Sequence, residues 1–498
     1  MTLRRLLTPL TLSVSLSLVL VGCSGSDGAA GAAGTDGLAG TPGKNALVRL
    51  ETEPPGANCA SGGTRVVAGV DTSGDGTLQA GEVTSTSYVC SGPQAAACTT
   101  LEGSITISNG FDWRMLIDSG CTGIAGDLVI NAPGVVHLTG ASPLQTIGGS
   151  LVVVDQVSLV ELSLPSLAHV EQDILVTGSG LTALGFPALT SVTGRIGIGP
   201  SAAPFTGPNP AISAISFPVL TTAGSIDVGG DNTLTSLLLP ELAAVGGDLA
   251  VHDALLLPGL SLPKLAEVAG AIRVDHLPAL LTASLPLLRL ARGGLDVSYC
   301  GILPSLSLPA LTTVEAHLQV MQNTLLTSIS LPLLVTVPGL LLVTGNDALP
   351  SLSLPQLLTV GGDLRLGFSP ALGTVTMPLL GSIGGSLMVF DLSLPSLTLT
   401  LPALLTIGGD LSLYDNPGVI TFSLPQLGSI AGGVDVHNNP VLASVGLPAL
   451  TAVGLDLAVN NNLLLPQCSV DALVTRLVGA GWTGLASSSG NDATAVCR

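Results

Sequence analysis

Residues 71–82 read Asp-Thr-Ser-Gly-Asp-Gly-Thr-Leu-Gln-Ala-Gly-Glu, which sets oxygen-bearing side chains at alternate places along a short loop. Asp71, Ser73, Asp75, Thr77 and Gln79 stand two apart, and Glu82 closes the run. Calcium takes about six to eight oxygen ligands, with carboxylates early in the loop, a closing Glu, and a glycine such as Gly76 at the sharp turn. Leu78 supplies an apolar anchor. Ser73 stands where Asp or Asn is commoner, so the expected Ca2+ site is weak.

A second group of chemical side chains is spread out but not scattered. His252, Asp275, His276, Tyr299, Phe368, Phe390, Tyr414 and His437, joined by Asp253, Met321 and Asp415, recur at spacings close to 23 or its multiples. Only 2% of the chain is aromatic, so gathering much of it in one register makes a candidate binding stripe. For hydrolysis, His276 with Asp253 and Tyr299 is the one plausible cluster, and it lacks a nucleophile or metal set. His252 and His437 lie eight repeats apart, roughly 38 Å at strand spacing, and cannot share a site. Cys300 has no His and acid partner, so it reads as a buried structural thiol.

Composition narrows the classes. The 498 residues are 47% hydrophobic and 9% charged, with 63 Gly and 34 Pro. That excludes a wholly disordered chain. Beyond the N-terminus no uninterrupted apolar stretch is long enough to span a bilayer, and too few aromatics are present for the girdles of an outer-membrane barrel. The net charge of −19 becomes −21 without Arg4 and Arg5. Nucleic acid is therefore not an expected partner, because phosphate binding needs clustered Lys and Arg.

Residues 1–22 have the form of an export signal, with Arg4 and Arg5 ahead of the apolar run Leu6–Val21. The run ends Leu20-Val21-Gly22-Cys23, which resembles the bacterial lipobox. The resemblance implies cleavage before Cys23, acylation of Cys23, and a protein touching the membrane through its lipid anchor alone. Ser24 implies an outer-membrane lipoprotein, at the cell surface or the periplasmic face. Acyl chains in pairs anchor stably, and the compartment would be oxidising. Residues 23–43 then place Gly at every third position from Gly25 to Gly43, a Gly-X-Y pattern resembling a collagen-like spacer. A short triple helix and a flexible tether are both open. Seven triplets with Pro42 as the sole imino acid favour the tether.

Residues 44–97 form the next expected domain. Cys59 and Cys90 bracket the 71–82 loop, and a small exported domain needs such a staple. The flanks, Thr64–Val70 and Val83–Val89, are rich in Val and Thr and so read as strands. The loop resembles an EF-hand loop without its helices. The Cys59 to Gly92 run, following a Gly-X-Y tract, also resembles a domain of unassigned function from bacterial surface lipoproteins.

The remainder is one long repeat. Aliphatic residues follow a Gly-Gly-Asp-like turn at fifteen positions from Leu128 to Leu455, mostly 23 apart. Exceptions are 22 before Ile196, 30 before Ile226, 24 before Leu411 and 21 before Leu455. The long interval carries Pro200, Pro204, Pro208 and Pro210 and reads as a loop. A Leu-Pro-x-Leu landmark keeps the same beat from Pro165 to Pro448, and recurring Pro rules out helices of that period. Two residues past each aliphatic stands another, as in Val153, Val343 and Val436, so both point one way from a strand. Asn323, Asn346, Asn416, Asn439 and Asn460, with Asp231 and Cys300, occupy a turn position five residues on. Inward Asn there can bond backbone groups that a tight coil leaves unpaired.

These features predict an all-β, right-handed parallel β-solenoid of about fifteen rungs, preceded by the small Cys-stapled β module. Neighbouring strands at about 4.8 Å make a body on the order of 65–70 Å long. An N-cap over 98–124 holds Cys98 and Cys121, with a helical Asp112–Ile117. A C-cap over 460–498 holds Cys468 and Cys497, with a helical Val470–Val478. With Cys23 acylated and Cys59–Cys90 paired, those two pairs leave Cys300 alone. Over 98–498 the Gly-x-Leu-x-Val rungs and Cys-closed caps resemble the receptor L-domain family, a leucine-rich solenoid. The chain has more rungs than one such domain, and no ligand residue of that family carries over.

The functional expectation is a non-enzymatic surface lipoprotein that presents its solenoid for recognition or adhesion, toward a protein or glycan ligand. A purely structural envelope coat or spacer is the alternative, and a hydrolase centred near His276 is a third reading.

Overall fold

The computed structural model describes residues 43–90, 98–200, 207–393 and 397–497. The chain divides into two units, 1–94 and 95–498. The expected signal segment, Cys23 and the Gly-X-Y tract lie outside the described residues, as does Pro204.

In the first unit β1 (Ala46–Glu53) runs antiparallel to β2 (Gly63–Val70), and β2 to β3 (Val83–Cys90). The two Val- and Thr-rich flanks are β2 and β3; β1 completes the sheet. So small a sheet has little core of its own: Val67, Leu78 and Cys59 are its buried apolar residues. The Cys59–Cys90 disulfide ties the loop after β1 to the end of β3, supplying closure that the core lacks.

The second unit is a parallel β-solenoid of about fifteen turns. Each rung follows directly from the repeat. A two-residue strand such as Thr359–Val360 leads through Gly361-Gly362-Asp363 into the four-residue strand Leu364–Gly367. Both belong to one 31-stranded sheet, and the Ser-Leu-Ser segments build a separate ten-stranded sheet. Rungs stack in register: Leu341 pairs Leu364, and Leu364 pairs Leu387. Alternation then buries every second residue. Leu341, Val343, Leu364, Leu366, Leu387 and Val389 are all at most 1% exposed, and burying each such side chain stabilises by about 1.5–3 kcal/mol.

The recurrent proline has a local cause. In Leu331-Pro332-Leu333-Leu334 the Leu334 N–H donates to the Leu331 carbonyl, with Pro332 second in the turn, where its fixed φ suits a β-turn. Leu331, before the proline, and Leu334, two after it, both plug the core. The Asp of Gly-Gly-Asp has a cause too. Asp127, Asp248, Asp363 and Asp410 each accept from a backbone N–H one rung further on, at Ser150, Ala271, Ser386 and Gly433, at 2.7–2.8 Å.

The fifth-place column is an internal ladder. Asn439 Nδ2 donates to the carbonyls of Leu413 and His437, and its Oδ1 accepts from Asn416 N–H. Cys300 does the same work with sulfur, its Sγ against the carbonyls of Val274 and Ser298. Burial pushes that thiol up to about 12, so it stays protonated and unreactive.

One register is corrected. The last rung begins at Leu457, which pairs with Val434, and not at Leu455. Leu455 replaces the second Gly of Gly-Gly-Asp and is 60% exposed. The ladder residue of that rung is accordingly Asn462, which is buried, whereas Asn460 ends the strand. The strand column also extends into both caps: Ile105–Ile107 pairs with Leu128–Ile130, and Ala486–Ser489 with Leu457–Asn460. The cap helices are α1 (Gly110–Asp118) and α2 (Gln467–Gly479), stapled by Cys98–Cys121 and Cys468–Cys497. Among the described residues no helix is long and apolar enough to cross a membrane.

Candidate recognition surface

The stripe residues sit where each long strand ends and the chain turns a corner. The corner residue, four after the rung's first aliphatic, has positive φ in nearly every rung. Elsewhere it is a type that tolerates this, such as Gly178, Gly230, Gly345, Asp253, Asp415, Asn438 and Asn461. At Gln322 (φ 58°), Tyr299 (φ 53°) and Phe368 (φ 45°) it is not, with His276 (φ 52°) an intermediate case. A bulky residue held there costs on the order of 1–3 kcal/mol. Neither aromatic recovers that by burial, for Tyr299 is 44% and Phe368 54% exposed.

The rings group into two ladders. His276 stacks on Tyr299 with centroids 4.4 Å apart. Further along, Phe368 meets Phe390 edge-on at 5.2 Å, Phe390 stacks on Tyr414 at 5.4 Å, and Tyr414 on His437 at 5.2 Å. Gln322 and Gly345 fill the corner between the two groups, so the expected stripe is interrupted. The stacked faces of Phe390, Tyr414 and His437 cover one another, and Asp391 and Asp415 stand near Tyr414. Burial, then those two carboxylates, push the Tyr414 phenol up, so it remains a neutral donor.

The imidazoles differ in their partners. Asp253 pairs with His252 at 2.8 Å, and not with His276, whose Nδ1 lies 3.0 Å from Asp275. The cluster expected of His276, Asp253 and Tyr299 is thus split between two carboxylate pairings. His252 also lies 3.0 Å from Asp227, and that bond, with Asp253, raises it to about 9. His252 belongs to a polar concavity on the flat sheet face, lined by Arg195, Asp227, Asp248, Arg273, Asp296, His317 and Gln319. Sequence reasoning missed this concavity because it followed the corner and not the outward places within the strands.

In the 71–82 loop the carboxylates are held by the loop itself. Asp71 accepts from Ser73 Oγ, Gly74 N–H and Gly76 N–H. Asp75 accepts from Thr77 N–H and Oγ1 and from Gln79 Nε2. Glu82, 8% exposed, accepts from Thr72 and Ser73 N–H on one oxygen and Gln79 N–H on the other. The Gln79 N–H, followed by Ser73, holds the Glu82 carboxyl down at about 2, and Thr77 likewise lowers Asp75. The all-oxygen donor set suits a hard cation. Among the described residues no three acidic, His or Cys groups stand together as a metal site.

Residues 45–90 match the family model described as Domain of unknown function (DUF7151). That match covers β1 to β3 with the Cys59–Cys90 disulfide and the whole 71–82 loop. No curated protein and no solved structure matches the chain.

Proposed function

We propose that the chain is an exported, lipid-anchored surface protein whose solenoid corner recognises or adheres to a ligand, without catalysis. The observation that carries this reading is the pair of bulky corner residues, Tyr299 and Phe368, held at positive φ while exposed. Gly, Asn or Asp would satisfy the turn at lower cost, so the aromatic rings answer to something outside the fold. Rings beside carboxylates offer apolar contact with flanking polar groups, the makeup of a binding hot spot. Export and the lipid anchor rest on Arg4, Arg5, the apolar run and Cys23. Calcium at the 71–82 loop is proposed from the donor pattern, as a weak site at which Glu82 would exchange its backbone bonds for the ion.

The test is attachment of cells that produce the full chain, comparing the native protein with a Tyr299→Ala, Phe390→Ala, Tyr414→Ala variant displayed at equal density. Reduced attachment supports recognition. Unchanged attachment overturns it in favour of an envelope coat.

A further inference from the structure

The polar concavity on the sheet face is local. The outward place next to each rung's first aliphatic reads Val152, Leu175 and Gly197 before it, and Leu342, Arg365, Met388, Ser412 and Asp435 after it. Between them the same column reads Asp227, Ala250, Arg273, Asp296 and Gln319 on five consecutive rungs. Ala250 and Ala271 keep the floor low, and the concavity encloses roughly 760 Å³.

Most of its polar groups are bonded to one another, as Arg195 and His252 are to Asp227, but Asp296 is not fully satisfied. Asp296 Oδ1, of the lining, and Asp275 Oδ1, of the neighbouring rung outside the lining, are buried and accept no hydrogen bond. Beside them, Arg273 Nε stands 3.9 Å from Asp275 Oδ1, too far for a hydrogen bond, and the Arg273 side chain is 58% exposed. A buried acceptor left unmade costs about 1–3 kcal/mol, so a small turn of the Asp296 carboxylate toward a ligand's donor would stabilise the arrangement.

The chemistry of that ligand follows from what surrounds the orphaned oxygens. An anion would meet Asp227, Asp248 and Asp296. A cation would meet Arg195, Arg273 and the protonated His252. A hydroxyl meets neither penalty, since one atom both donates to Asp296 and accepts from Arg273 or Gln319. Arg273, Asp296 and Gln319 repeat this donor and acceptor sequence along the axis over about 10 Å at strand spacing. The stacked His276–Tyr299 pair is linked to Arg273 only through Asp275, and its exposed ring surface offers apolar contact to a sugar.

We propose that this concavity binds a neutral saccharide chain lying along the solenoid axis. The proposal rests on the recognition reading above and names the ligand class for one stretch of that surface. The experiment presents the full chain to an array of neutral, acidic and amino oligosaccharides, with Arg273→Ala, Asp296→Ala and, outside the concavity in the same column, Arg365→Ala. Melting curves establish that each variant is folded; if Asp296→Ala is not, Gln319→Ala replaces it. Binding to neutral members, weakened about tenfold or more by the concavity variants and unchanged by Arg365→Ala, supports the assignment. Binding only to charged members, binding to none, or equal binding by all variants overturns it. In those cases attachment that still depends on Phe390 and Tyr414 leaves recognition standing without this site.

Discussion

The ring of Phe390 lies over Gly367 of the preceding rung, so closely that a Cβ built on Gly367 would fall 2.5 Å from it. The two residues pair directly across adjacent strands. The missing side chain is what lets Phe390 lie flat along the corner and stack on Tyr414, and hence what starts the longer ladder. Gly367→Ala is expected to force the ring off its stack and destabilise the fold by roughly 1–3 kcal/mol. Near-ultraviolet circular dichroism reads the lost ring order, and thermal melting reads the stability.

The buried Asn ladder makes a second prediction. Asn439→Ala leaves the buried Asn416 N–H without its acceptor, at about 1–3 kcal/mol, and takes one donor from the carbonyls of Leu413 and His437, the latter still accepting from Asp415 N–H. Cys300→Asn restores the residue type of the column and is expected to hold or raise stability. Denaturant melts of the two variants check both signs.

Stability should fall as pH rises over two windows in the solenoid. Burial raises Asp231 to about 6, so its contribution is full below its ordinary value near 3.8 and is lost as pH climbs through 6. His252 is raised to about 9; its contribution is full below 6.5 and is lost between there and 9. Melting temperature against pH, with His252→Asn flattening the upper window, measures this. Glu82 has the opposite sign. Its carboxyl is depressed to about 2, so the loop's stability is full above 4.5 and drains as pH falls toward 2, which hydrogen exchange at residues 71–82 reports.

Calcium supplies a fourth expectation. With Ser73 at the third place and Glu82 already engaged, affinity should lie on the order of 10⁻⁴–10⁻³ M. Millimolar calcium should slow hydrogen exchange over residues 71–82 of the full chain, and Glu82→Gln should abolish the effect. Equal exchange in calcium and in chelator would contradict it.

The rungs were legible because their signals repeat: a leucine at the wrong height in one turn is outvoted by the turns beside it. Where the repeat thins, the reading slipped. Leu455 took the place of a glycine in Gly-Gly-Asp and passed for the strand residue Leu457. The strain at Tyr299 and Phe368 was not legible, because an aromatic argues against positive φ and only coordinates reveal it. Nor was the concavity, since Asp227, Ala250, Arg273, Asp296 and Gln319 share a column but no residue type. What identifies them is the shared concavity and the unpartnered Asp296 Oδ1, properties of the packed molecule.

The central claim is that this protein holds strained aromatic corners for the sake of a partner. Phe368→Asn and Tyr299→Asn, made together, put at both corners the residue type already used at Asn438 and Asn461. The measurement is melting temperature and cell attachment on the same full-chain preparations. The account predicts a higher melting temperature with attachment lost. A lower melting temperature with attachment intact would contradict it, for the rings would then serve the fold alone.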